Sequence, residues 1–129
     1  MNKVVHFEIP FDNAERAEKF YKQAFDWQIM AMPMPQGGNY YMATTVEMDE
    51  QQMPKEAGAI NGGLTPRDAT LQSPVLVVNV PELDAALETV KNAGGQVVME
   101  KMQVMDMGLY ARVKDTEGNV IGVWQDLKR

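Results

Sequence analysis

The chain has 129 residues, is 45% hydrophobic and 23% charged, and contains no cysteine, so disulfides and thiolate metal sites are excluded and a single globular domain is expected. Its formal net charge of −6 argues against nucleic acid, which is held by clustered Lys and Arg. Charges at Lys3 and Glu8 come too early for the apolar stretch of a signal peptide, and no apolar run approaches the roughly 18 residues of a membrane span, so a cytoplasmic protein with no membrane partner is expected.

Val4 to Ile9 reads as a strand, with Val5, Phe7 and Ile9 on one face and Val4, His6 and Glu8 on the other. Asp12 is placed to cap a helix, with Glu15 completing a capping box. The helix runs to about Phe25 on a stripe of Ala14, Ala17, Phe20, Tyr21, Ala24 and Phe25. Trp27 to Met32 is a second strand, Gln36 to Asn39 a turn, and Tyr40 to Val46 a third strand. Glu47 to Glu56 is a polar loop, and Ala59 to Leu64 a fourth strand, in which Gly62 and Gly63 allow a close approach.

Thr65 to Ser73 reads as a linker, and then the pattern restarts. Val75 to Val80 is a strand and Leu83 to Ala93 a helix with no clear N-cap, ended by Gly94 in a left-handed turn. Val97 to Met99 begins a strand, Leu109 to Lys114 forms the next, Asp115 to Asn119 is a turn, and Val120 to Gln125 is the last strand. Displaced by 69 residues without a gap, Phe7 meets Leu76, Ile9 meets Val78, Ala17 meets Ala86, Tyr21 meets Val90 and Ile29 meets Val98. The apolar pattern survives through strand, helix and strand, which points to an internal repeat.

Several segments together resemble the glyoxalase / bleomycin-resistance / extradiol-dioxygenase superfamily, also called vicinal oxygen chelate. They are Val5-His6-Phe7-Glu8-Ile9-Pro10 with Ala17 to Tyr21, Ile60 to Leu64, Gly108-Leu109-Tyr110, and above all Asp115 to Gln125. The likeness is nearest to a subgroup described as related to lactoylglutathione lyase. It implies an α+β fold of two βαβββ modules, helices outside, whose strands curl into a partly open mixed-sheet barrel around a pocket. Within the single domain of residues 1–129, module one is expected at about 1–66, a linker at 67–73 and module two at 74–129. Many two-module members dimerise, so the resemblance also implies a homodimer. Enzymes of the superfamily bind a divalent metal with ligands from the first and last strand of each module, and the metal acts as a Lewis acid.

This chain departs from that ligand pattern. His6, the sole histidine, stands at the first-strand ligand position of module one. Its counterpart in module two is Val75, and the last-strand carboxylate of module two is replaced by Gly122. No cofactor is therefore expected, since a divalent ion needs several convergent N or O donors. The residues left as candidates are His6 and Glu8 for proton transfer, and Tyr40, Met42, Tyr110, Gly122 and Trp124 for contact with a ligand. Tyrosine and tryptophan offer amphipathic rings. Gly122 leaves room where a carboxylate would otherwise project. The 11 methionines suit an adaptable apolar site, or plain core filling.

Two functions stay open. The first is a metal-free protein that captures a small, mostly apolar molecule in the expected inter-module pocket, as bleomycin-resistance members do by sequestration; the negative charge would admit a cationic one. The second is a lyase-, isomerase- or hydroxylase-like enzyme in which Glu8 or His6 moves a proton, with or without a weakly held divalent metal.

Overall fold

A computed structural model describes residues 1–127 of the chain. The order of elements is β1 (Val4–Phe11), α1 (Ala14–Phe25), β2 (Gln28–Pro33), β3 (Asn39–Thr44), β4 (Gly62–Pro66), β5 (Val75–Asn79), α2 (Leu83–Asn92), β6 (Gln96–Val104), β7 (Gly108–Lys114) and β8 (Val120–Asp126). The class is α+β. No helix among the described residues is long and apolar enough to cross a membrane.

The chain divides into two compact units. One is His6–Pro74; the other joins Met1–Val5 to the described residues from Val75 onward. Each contains one βαβββ module with the same mixed sheet. In module one the strands run β2-β3-β4-β1, with β1 parallel to β4 and the other neighbours antiparallel. In module two they run β6-β7-β8-β5, with β5 parallel to β8 and the rest antiparallel. The long parallel connection in each module carries the helix, as parallel pairing requires.

Alternation sorts each sheet into a helix side and a face turned away from the helix, here called the free face. In module two the helix side holds Val80, Ala111, Val113 and Val123, closed by Leu83 and Leu87 of α2; all six are buried. In module one the helix side is aromatic. The Phe7 ring packs across Gly62 and lies 5.5 Å from Trp27, which stacks on Tyr21 of α1 at 4.9 Å. Phe11 meets Tyr41 edge-on at 5.6 Å. Leu64, Leu71 and Ala43 are buried in this unit, but no residue of α1 is.

Several element boundaries differ from the sequence reading, each for a local reason. Asn13, not Asp12, caps α1: its Oδ1 accepts from the Arg16 N–H at 2.9 Å, while the Asp12 carboxylate is engaged by the Arg67 Nε at 2.9 Å. Glu15 then sits one position short of a capping box. Helix α2 does have an N-cap, the unusual Glu82, whose carboxylate accepts from the Ala85 N–H at 2.7 Å. The Gln125 side chain takes the Leu83 N–H at 2.7 Å. Strand β4 begins at Gly62 rather than Ala59, because the Asn61 side chain accepts the N–H groups of Thr45 (2.7 Å) and Val46 (3.0 Å) that a longer ladder would have used. Strand β6 runs on to Val104 through two register shifts, an irregular edge that discourages pairing with other chains.

Candidate functional site

The free face of module one carries the first group of candidates. Residues His6 and Glu8 project to it from β1, and Glu8 lies beside Gly63 of β4. Met42 of β3 pairs with Gly63 on its other side. Tyr40 pairs with Met32, and Met42 with Met30, so a methionine row on β2 borders the face. His6, Tyr40 and Met42 are half-buried, whereas Glu8 is buried at 6% exposure.

Gly63 decides the arrangement of this face. A Cβ at that position would overlap the Tyr40 hydroxyl and ring. The absence of a side chain lets the Tyr40 ring lie across β4 and brings its hydroxyl within 2.8 Å of His6 Nε2. The two rings are nearly parallel, at 19° and 6.5 Å. Burial holds His6 below the ordinary histidine value, with the negative charge of Glu8 acting the other way. Neutral imidazole is the favoured form, hydrogen-bonded to a phenol and close to a carboxylate. Such a group can accept a proton or fix a ligand oxygen.

The free face of module two carries the second group. Tyr110 of β7 is buried and pairs with Trp124 of β8, and Gly122 pairs with Arg112. A Cβ at Gly122 would come within 2.6 Å of the Tyr110 hydroxyl, so this glycine also seats a tyrosine. The Arg112 Nε donates to the Tyr110 hydroxyl at 3.2 Å, and the guanidinium lies 5.5 Å from the ring centre. Trp124 packs across Gly108; its Nε1 donates to Asp126 at 2.9 Å, and the same carboxylate accepts from Asn79 Nδ2 at 2.9 Å.

The residues singled out from sequence thus fall into two sets on equivalent faces: His6, Glu8, Tyr40 and Met42 in module one, and Tyr110, Gly122 and Trp124 in module two. Sequence reasoning missed Gly63 as a seat, and it missed Arg112, a charged residue only 5% exposed, and Asp126. Strand alternation could have found Arg112, since it shares a face with Tyr110 two residues away.

The donor set does not fit a divalent metal. By topology the module-one counterpart of Gly122 is Gly63, because each lies on the last strand beside the first-strand partners Val77 and Glu8. Val75, Gly63 and Gly122 offer no side-chain donor, and among the described residues no three His, Cys, Asp or Glu side chains gather closely enough to hold an ion.

A separate hollow of about 260 Å3 opens on the helix side of module two, between α2 and its sheet, lined by the apolar Val78, Val80, Ala86, Val90 and Val123 together with Asn2 and Thr89. None of the candidate residues reaches it.

Comparison with known proteins gives three concordant results. Residues 3–45 match a family model described as bleomycin resistance protein-like N-terminal. The protein CFP32 of Mycobacterium bovis, named a candidate glyoxylase, is 30% identical over 111 residues, which cover 84% of this chain. Its counterpart in Mycobacterium tuberculosis matches equally. The chain spans 40% of the length of these relatives. Among solved structures, methylmalonyl-CoA epimerase from Streptomyces coelicolor, bound to 2-nitronate-propionyl-CoA, aligns over 99% of both chains with a TM-score of 0.69 and 10% identity. A methylmalonyl-CoA epimerase from Mycobacterium tuberculosis aligns over 95% of this chain and 87% of its own, with a TM-score of 0.62 and 16% identity. These structural likenesses concern the fold.

Proposed function

Since this chain belongs to the glyoxalase / bleomycin-resistance / vicinal oxygen chelate superfamily, we propose that it is a metal-free binder of a small, mostly apolar molecule, held on the free faces of its modules. The observation that carries this reading is the seating of a tyrosine on each last-strand glycine. Where a metal-binding relative of this plan would need a donor, Gly63 and Gly122 each give their space to a phenol ring. Tyr40, Met42, Tyr110 and Trp124 then supply aromatic and thioether contact, and His6 and Glu8 supply the polar contacts that fix orientation. The net charge of −6 favours neutral or cationic ligands over anionic ones.

A panel of neutral and cationic aromatic compounds tests the reading by thermal shift on chelator-treated protein. A ligand at about 100 times its Kd stabilises the native state by about 2.7 kcal/mol, a clear rise in Tm. The rise should shrink in Tyr40→Ala and Met42→Ala. A panel that moves no melt contradicts the proposal.

Glu8 motivates the second reading. A buried carboxylate two residues from His6 on one strand face is placed to take a proton from a carbon next to a carbonyl. In that case Glu8→Gln abolishes turnover of a carbonyl substrate while ligand binding persists. Unchanged turnover in both Glu8→Gln and His6→Ala removes this reading.

A further inference from the structure

The two modules share more than a strand order. In module one Met32 pairs with Tyr40, and the Tyr40 ring rests on Gly63. In module two Met102 pairs with Tyr110, and the Tyr110 ring rests on Gly122. Both rows run from the second strand through the third to the last, on the free face. At the end of each row the tyrosine hydroxyl contacts a nitrogen-bearing side chain: His6 Nε2 at 2.8 Å in one module and Arg112 Nε at 3.2 Å in the other. Neither glycine has a positive φ, so neither is needed for backbone conformation; both are needed for space.

We propose that Met32–Tyr40–Gly63 and Met102–Tyr110–Gly122 are equivalent arrangements, one in each module, in which a glycine-seated tyrosine is a positioning residue for His6 or Arg112. The inference rests on the free face being the ligand side, and it adds that glycine and tyrosine work as a pair. A glycine alone would leave a gap open to water. With the ring laid across it, the gap is filled, and a hydroxyl arrives at a depth that no side chain on the last strand itself would set. The ring is held by the seat beneath it, and the methionine paired with it across the strands is a soft neighbour for aromatic carbon. The polar side chain is therefore fixed by a rigid group rather than by a long flexible one. In module one, where Tyr40 is half-buried, such a site suits a planar, neutral or aromatic ligand that lies against the phenol and takes one directed polar contact.

Module one offers a clean test, because the chain contains a single histidine. The full chain, labelled with 15N-histidine and free of ligand, gives one pair of ring nitrogen resonances, and those report the Nε2 hydrogen bond directly. Tyr40→Phe removes the hydroxyl but keeps the ring on its seat. It should shift the Nε2 resonance and broaden the ring signals while circular dichroism stays unchanged. Gly63→Ala fills the seat and should move the same resonance in the same direction, although the hydroxyl is still present. Gly63→Ser should do likewise. The double variant of Tyr40→Phe and Gly63→Ala should show no further shift, because both changes break one contact. An unchanged Nε2 resonance in Tyr40→Phe overturns the inference. So does a folded Gly63→Ala or Gly63→Ser protein with His6 signals like those of the parent. Because no ligand is added, failure here is distinct from failure of the binding proposal, which the compound panel decides.

Discussion

At the scale of the residue, the Tyr40 hydroxyl and His6 Nε2 meet at 2.8 Å on the free face of module one. A half-buried hydrogen bond of this kind contributes about 0.5–1.5 kcal/mol, so Tyr40→Phe should lower the urea unfolding free energy by about that much. A seat glycine is costlier to change. Overpacking a fitted site costs about 1–3 kcal/mol, which is the loss expected for Gly63→Ala, measured by the same titration. His6 also links stability to pH. Its folded value lies below the ordinary 6.5, so between the two values the unfolded chain binds more protons than the folded one. The stability due to neutral His6 is full above 6.5 and is lost as pH falls through 6.5 toward the folded value. The Tm of the parent minus that of His6→Gln should therefore decrease from pH 7.5 to pH 5.5. A constant difference would show that His6 is not held neutral. The sequence marked His6 and Tyr40 separately, the one by its place on the first strand and the other by its ring. It did not bring them together, because their meeting depends on a tyrosine two strands from His6 leaning across a glycine on the strand between them.

At the scale of the element, the two helices are docked in different ways. Helix α2 buries Leu83 and Leu87 completely or nearly so, whereas Phe20 and Phe25 of α1 stay 55% and 59% exposed. Deleting a buried leucine costs about 2–5 kcal/mol, so Leu83→Ala should destabilise strongly. Phe20→Ser should change stability by under about 1 kcal/mol, since that ring keeps most of its exposure. Chemical denaturation of both variants checks the contrast, and equal losses would contradict it. The stripe of apolar residues was readable in both helices, but stripes do not tell how deeply a helix sinks. That depth follows from what each helix packs on: flat aliphatic Val and Ala of the strands in module two, and in module one Trp27, stacked on Tyr21 of α1 and beside Phe7 of β1. The caps were legible only in part. Asp12 looked the better cap until Arg67, 55 positions away, engaged it. Glu82 is a rare N-cap that the usual Ser, Thr, Asp and Asn preference does not flag.

At the scale of the whole molecule, the repeat was the most legible feature. The 69-residue displacement that aligns Phe7 with Leu76 also places Glu8 opposite Val77, and these two residues are the partners of Gly63 and Gly122 in the parallel ladders. Apolar periodicity records which residues must face a core, and each module has such a core. A ligand leaves no comparable periodic mark. Sequence alone could show that Val75 and Gly122 lack donors, but not which last-strand residue of module one corresponds to Gly122, because the loop before β4 hides the register. Topology supplies Gly63, and with it the reason that tyrosines line both free faces. The proposed function holds that these faces bind without a metal. Thermal melting of chelator-treated protein with and without added Ni, Zn, Mn or Fe(II) tests that claim most directly. A Tm unmoved by each metal is expected, whereas a stoichiometric rise that disappears in His6→Ala and Glu8→Gln would contradict metal-free binding.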